Sequence, residues 1–70
     1  MIPQDLRHLP PPEPMEIILD EVEQMPAGEV RAWILPHHPV PLLPMLEREG
    51  VQYRFELVEG GGVILVLSRP

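Results

Sequence analysis

Residues 51–67, which read VQYRFELVEGGGVILVL, decide the fold of this chain. Apolar and polar residues alternate over residues 51–57, as in a strand with one buried face. Three glycines at positions 60–62 follow, and they predict a hairpin turn. Residues 63–67 are continuously apolar, which is typical of a strand that is covered on both sides. The stretch therefore predicts an antiparallel hairpin of two neighbouring strands.

Two amphipathic helices are predicted upstream of the hairpin. Residues 15–25 carry apolar side chains at helical spacing, on a face made of Met15, Ile18, Leu19, Val22 and Met25. Pro14 precedes them, and a proline is tolerated in the first turn because its missing N–H group would have no partner there. A shorter helix begins no earlier than Pro41, so that Pro44 stays in its first turn, and it ends at residues 49–50.

Strands are also predicted at residues 2–6 and 29–35, which gives the order strand-helix-strand-helix-strand-strand. Connections between parallel strands are right-handed, so we expect both helices on one face of the sheet. The predicted fold is a two-layer α/β (α+β) sandwich with a four-stranded mixed sheet. It forms a single domain over residues 1–70.

One face of the predicted sheet is left uncovered by the helices. We expect it to hold Trp33 and Leu35, together with either Ile64 and Val66 or their neighbours. Such a face is more apolar than solvent usually tolerates. It therefore predicts a homodimer or a partner interface.

The composition excludes several classes of function. The chain has no cysteine, so disulfides, thiolate zinc sites and thiol nucleophiles are excluded. Eleven acids against five arginines and no lysine give a net charge of −6, which repels phosphate backbones and anionic membranes. No signal peptide or bilayer-spanning stretch is visible. We therefore expect a cytoplasmic protein that binds neither nucleic acid nor membrane.

The sequence carries few residues that are suited to catalysis. Ser68 is the only serine and there is no threonine, and neither a nucleophile elbow nor a phosphate-binding loop is present. The glycines at 60–62 lie in a hairpin and not between a strand and a helix. Carboxylates pair only along the first helix, where no burial would tune them for catalysis. We therefore expect no enzymatic activity.

Five acids crowd into the region of the first helix, at Glu13, Glu16, Asp20, Glu21 and Glu23. One interpretation is a solvated helix face. The other is a docking surface for a basic partner. The sequence alone leaves both open.

All three histidines follow predicted parallel strands, His8 after the first and His37 and His38 after the second. If these strands are neighbours, both loops leave the sheet at its C-terminal edge, where α/β sheets bind ligands. Glu13 lies at the same end. Imidazoles with a carboxylate could hold zinc, iron or copper. The alternatives are ordinary exposed histidines, or a protein contact made by rigid proline loops.

Residues 5–15, which read DLRHLPPPEPM, resemble the signature of the TusA-like (SirA-like) sulfur-carrier proteins. In that family an Asp-x-Arg-Gly-Leu-x-Cys-Pro-x-Pro stretch joins the first strand to the first helix, and the order of elements matches over essentially the whole chain. The matching residues include Arg7, Leu9, Pro12 and Pro14. His8 stands at the usual Gly and Pro11 at the sulfur-bearing Cys. The resemblance therefore implies the fold without the sulfur relay.

A closer resemblance is to an uncharacterised bacterial family with a TusA-like fold in which that Cys is commonly absent. Its members carry a Leu-Pro-Pro run before the first helix and a His-x-Pro-x-Pro-Leu stretch before the second, here residues 37–42. Many members have a His at the start of the first helix, where this chain has Met15. Some relatives are fused to or encoded near iron-binding and redox proteins, so the resemblance implies a redox-linked role by association.

The sequence predicts a non-catalytic binding or accessory module with a protein partner and no cofactor. We expect its binding residues at the proline-bounded end of the molecule: Arg7, His8, Pro11, Glu13, His37 and His38. The alternative is a metal-binding or redox-accessory domain that holds a transition metal with the three histidines. A vestigial partner of a sulfur relay is a third hypothesis.

Overall fold

The strands and helices follow one another in the predicted order. The computed structural model describes residues 2–70. The strands are β1 (Gln4–Asp5), β2 (Val30–Leu35), β3 (Gln52–Leu57) and β4 (Val63–Ser68), and the helices are α1 (Glu13–Gln24) and α2 (Leu43–Glu49). A 3₁₀ turn at Val40–Leu42 leads into α2. The predicted α+β fold with two helices and a four-stranded mixed sheet is confirmed.

The sheet has the strand order β1-β2-β4-β3. β1 runs parallel to β2, whereas β4 runs antiparallel to both β2 and β3. The predicted hairpin is formed by β3 and β4, with Gln52 opposite Ser68 and Leu57 opposite Val63. β4 lies between two other strands, and this central position accounts for its apolar run.

Both helices have a proline in their first turn, as predicted, but α1 begins earlier than predicted. α1 begins at Glu13, two residues before the predicted start, because Pro14 fits the second position of a first turn. α2 begins at Leu43 after the 3₁₀ turn, and Gly50, with φ 78°, ends it in the left-handed conformation that glycine favours. Within residues 2–70, neither helix has the length and apolar content needed to cross a bilayer.

The helices cover the face of the sheet that carries Trp33 and Leu35. Trp33 is 1% exposed and belongs to the same core cluster as Ile18 and Val22 of α1, Leu42 of the 3₁₀ turn and Leu46 of α2. Its indole N–H donates to Glu21 of α1 over 3.1 Å. The prediction that Trp33 and Leu35 lie on the uncovered face is therefore wrong. Large apolar side chains gain most from burial under the helices, and the adjacent acid satisfies the indole N–H.

The uncovered face carries the alternate residues of the two inner strands. The five apolar residues on it are Val30, Ala32, Ile34, Ile64 and Val66. Val30 is 46% exposed, but Ala32 and Val66 are only 6% exposed and the two isoleucines are half-buried. The outer strand β3 adds three polar side chains to this face, Gln52, Arg54 and Glu56. This face therefore exposes little apolar surface, and the homodimer through it stays a prediction.

Arg69 joins the ends of both helices. Its Nη2 donates to the carbonyl oxygen of Val22 over 2.7 Å, and its Nη1 donates to the carbonyl oxygen of Glu49 over 3.1 Å. Both carbonyls belong to the last turn of a helix, where backbone oxygens have no partner within the helix and a cation is favoured by the helix dipole. One guanidinium therefore stabilises the C-terminal ends of α1 and α2 together.

Glu21 accepts the hydrogen bond of the buried indole of Trp33. Substitution of Glu21 therefore tests whether Trp33 lies on the covered face of the sheet. In Glu21→Ala, the N–H of Trp33 loses its acceptor, and we expect the free energy of unfolding to fall by about 1–3 kcal/mol. Urea unfolding followed by the fluorescence of the single tryptophan measures it. Glu21→Gln keeps an acceptor and should lose less. Glu23→Ala, on the exposed side of α1, should change stability by less than about 0.5 kcal/mol. A Glu21→Ala protein as stable as the parent would contradict the assignment.

Candidate functional site

The two proline-rich loops leave the sheet side by side. β1 and β2 are parallel neighbours, with Gln4 opposite Trp33 and Asp5 opposite Ile34. The N–H of Leu6 extends this pairing by donating to the carbonyl oxygen of Ile34 over 2.9 Å. Because parallel strands end at the same edge, the loop at 6–12 and the loop at 36–42 emerge together. The prediction that both loops lie at the C-terminal edge of the sheet is confirmed.

A cavity of about 200 Å³ lies between the two loops. We call it the proline cavity, because six of the ten residues that line it are prolines. The first loop and the start of α1 contribute Leu9, Pro11, Pro12, Pro14 and Met15, and the end of β2 and the second loop contribute Leu35, Pro36, His37, Pro39 and Pro41. The imidazole of His37 is the only polar side chain in this set. The cavity is therefore an apolar recess with one ionisable group on its wall.

Prolines also remove the hydrogen-bond donors that a helix N-terminus usually offers to an anion. α1 and the 3₁₀ turn both begin at the cavity, but Pro14 and Pro41 carry no N–H group. Four neighbouring N–H groups are used inside the turns, in bonds of 2.9–3.2 Å: Glu13 to Pro10, Glu16 to Pro12, Val40 to His38 and Leu42 to Pro39. The proline cavity therefore presents apolar rings where a phosphate site would present donors.

The predicted site residues separate into two groups. Pro11 and His37 line the proline cavity, and Glu13 is exposed at the first residue of α1. His8 is exposed in the turn that follows β1. The ring of His38 packs edge-on against Phe55 of β3, with 4.7 Å between the ring centroids. The adjacent histidines His37 and His38 therefore have different neighbours.

The three histidines do not form a metal site in this structure. Within residues 2–70, no three His, Asp or Glu side chains are grouped so that they could hold a metal ion. A protein site for zinc normally supplies three or four ligands. The metal-binding alternative therefore finds no support in the geometry.

Arg7 is occupied by contacts inside the fold. Its Nε and Nη2 donate to the two carboxylate oxygens of Asp5 over 3.0 and 2.8 Å, and its Nη1 donates to the carbonyl oxygen of Gly61 over 3.2 Å. The side-chain hydrogen bonds of Arg7, with the one from its backbone N–H, lower the pKa of Asp5 to about 2. The same side-chain bonds raise the pKa of Arg7. Arg7 thus fixes the start of the first loop to the hairpin turn.

Gly62 brings that hairpin turn against the end of β2. Its φ is 101°, and a Cβ atom at this position would collide with the carbonyl oxygen of Leu35. Leu35 itself lines the proline cavity. The close approach that only glycine permits here therefore supports one wall of the cavity.

Sequence reasoning missed the apolar part of the site. Leu9, Met15 and Leu35 line the cavity, but they carry no ionisable group and are not among the predicted site residues. The signal that could have found them is the placement of a proline cluster after each of two neighbouring parallel strands. Two rigid loops at one edge do not collapse on each other as flexible chains do.

The chain matches a family model described as "Uncharacterized conserved protein (DUF2249)" over residues 4–69. This range runs from the first residue of β1 to the residue after β4, so it includes both proline loops and the cavity between them. No curated protein matches the chain, and no solved structure matches it either.

The ion pair between Asp5 and Arg7 predicts a pH-dependent contribution to stability. The pKa of Asp5 is lowered from its ordinary value of 3.8 to about 2, so the contribution is complete above pH 4 and is lost as the pH falls through about 2. A ¹³C NMR titration of the Asp5 carboxyl should give a midpoint near the lower value. In Arg7→Leu it should return towards 3.8, whereas Arg48→Leu should leave it unchanged. An unchanged midpoint in Arg7→Leu would show that Arg7 is not the cause.

Gly62 and Gly61 offer a matched pair of substitutions. Both have positive φ, so alanine at either position costs about 1–2 kcal/mol of backbone strain. At position 61 nothing lies within 4 Å of the added Cβ atom. At position 62 the added methyl collides with Leu35, which should cost about 1–3 kcal/mol more. Urea unfolding of the two alanine variants measures the difference, and equal losses would mean that the turn does not press on β2.

Proposed function

The chain belongs to the uncharacterized conserved protein family DUF2249, and we propose that it is a non-catalytic binding module that holds one apolar side chain of a partner protein in the proline cavity. The observation that carries this proposal is the composition of the cavity wall, in which nine of the ten lining residues are apolar. An apolar recess desolvates an apolar group and offers no group that would act as a nucleophile or a catalytic acid beyond His37.

The size of the cavity favours a single side chain as the occupant. Its volume is about 200 Å³. Pockets for drug-sized ligands and cofactors span roughly 300–1,000 Å³, whereas an apolar cavity of roughly 150 Å³ holds one benzene molecule. A phenylalanine, leucine or methionine side chain therefore fits, and a nucleotide or a large cofactor does not.

The rigidity of the loops favours binding. Each proline has a fixed φ, so the cavity wall keeps few conformations to lose when a partner binds. Protein interfaces gain most of their affinity from a few anchors that fill well-packed pockets. A preformed recess for one anchor is suited to this kind of recognition.

The TusA-like relationship belongs to the same proposal. Pro11, which the resemblance aligns with the sulfur-bearing Cys, is exposed and lines the proline cavity. A partner side chain in the cavity would therefore touch the position at which the carriers hold their sulfur. This supports an accessory role that uses the same location but, without a thiol, transfers no sulfur. A cytoplasmic location and a protein partner are parts of this proposal.

A small apolar probe tests the function directly. We expect N-acetyl-phenylalaninamide to shift the ¹³C signal of the Met15 methyl group, because an aromatic ring seated in the cavity lies against that wall. Met15→Phe fills the cavity and should abolish the saturable shifts of the surrounding amides. Met15→Leu conserves volume and should retain them.

The pattern of chemical shifts can also contradict the proposed function. Shifts scattered over the surface, or saturable shifts at Leu9 and His37 that persist in Met15→Phe, would show that the cavity is not the binding site. The fluorescence of the buried Trp33 serves as the control for folding, since it reports the core and not the cavity.

A further inference from the structure

Four acids form an exposed row along α1. Glu13, Glu16, Asp20 and Glu23 are separated by three, four and three residues, which places them on one side of the helix. All four are exposed, whereas Pro14, Ile18 and Val22 on the other side are buried. We call this row the acidic stripe.

The arginines of the fold do not neutralise the acidic stripe. Arg7, Arg31 and Arg54 are paired with acids outside it, and Arg69 binds the helix ends. The fifth, Arg48, lies in the last turn of α2, away from the proline cavity at which that helix begins. Within residues 2–70, no ion pair includes a member of the stripe.

The stripe is not explained by the stability of α1. Acids three or four residues apart repel each other on a helix surface. Glu13 and Glu16 lie in the first turn, where the helix dipole favours them, but Glu23 lies in the last turn, where the dipole opposes a negative charge. The C-terminal part of the acidic stripe therefore adds charge repulsion to α1 and has no ion-pair partner among residues 2–70 to offset it.

The stripe begins at the proline cavity. Glu13 and Glu16 share the first turn of α1 with Pro14 and Met15, which line the cavity. Ten residues separate Glu13 from Glu23, so the stripe is roughly 15 Å long. An extended chain covers that length with about five residues. A peptide that enters the cavity can therefore continue along the stripe.

We propose that the partner segment carries an apolar anchor for the proline cavity and, within about five residues of it, basic side chains that lie along the acidic stripe. This inference rests on the proposed function of the cavity and adds the charge and the direction of the partner. Charge complementarity selects a basic protein segment over a nucleic acid or an anionic membrane, because the net charge of −6 repels both.

Three unlabelled peptides that differ only in the flank test the proposal. Each has one phenylalanine followed by five residues, which include three arginines, three glutamines or three glutamates. Binding is followed through the Met15 methyl signal at low salt. We expect the arginine peptide to bind about tenfold tighter than the glutamine peptide, and the glutamate peptide to bind weakest. Added salt should reduce the advantage of the arginine peptide.

Single substitutions locate the effect on α1. Glu16→Gln and Asp20→Asn should each lower the affinity for the arginine peptide about two- to threefold, as expected for one exposed ion pair. Both should leave the affinity for the glutamine peptide unchanged. Glu49→Gln removes one charge at the far end of α2 and is the matched control, with an expected change well below twofold.

The outcomes separate the two proposals. If arginine and glutamine peptides bind equally through the cavity, or if Glu49→Gln acts as strongly as Glu16→Gln, the stripe has no specific role and this inference is overturned while the proposed function stands. If no peptide binds, or if saturable shifts of the surrounding amides persist when peptide is added to Met15→Phe, both proposals are overturned.

Discussion

The parallel pairing of β1 with β2 is the contact on which the candidate site depends. β1 contributes only two residues to the sheet, yet it holds the loop before α1 beside the loop before α2. Burial of Leu6 and the hydrogen bond from Arg7 to the carbonyl oxygen of Gly61 hold this short strand in place. The cavity exists because two segments that are remote in sequence end at one edge. The smallest strand of the sheet therefore supports the part of the molecule to which we assign function.

The periodicity of apolar residues predicted the helices and strands well, because the buried positions of a helix or a strand recur every few residues. The hairpin, both helices and the common edge of the proline loops follow from such patterns and from the handedness of the connections. Alternation in β2, however, defines two faces without saying which one is covered. That choice is made by Trp33, whose contact with Glu21 spans twelve residues of sequence. A periodic pattern does not specify contacts between residues that are this far apart in sequence.

The candidate site was predicted in location but not in chemistry. Most of the predicted site residues are ionisable, and two of them make contacts elsewhere, Arg7 with the hairpin turn and His38 with Phe55. Apart from His37, the cavity is formed by residues that carry no reactive group, and its volume depends on the distance between the two loops. Such a distance depends on how the loops pack, which composition and spacing do not determine. Prolines were visible as rigid segments, but their joint role as a wall required the fold.

Arg69 gives the cavity a connection to the opposite end of the molecule. α1 and the 3₁₀ turn that leads into α2 begin at the cavity, and both helices end at the same guanidinium, so a rotation of either helix would change its hydrogen bond to Arg69. A rearrangement of either helix at the cavity would therefore involve a contact one helix length away. Arg69 thus contributes to the shape of the cavity without lining it.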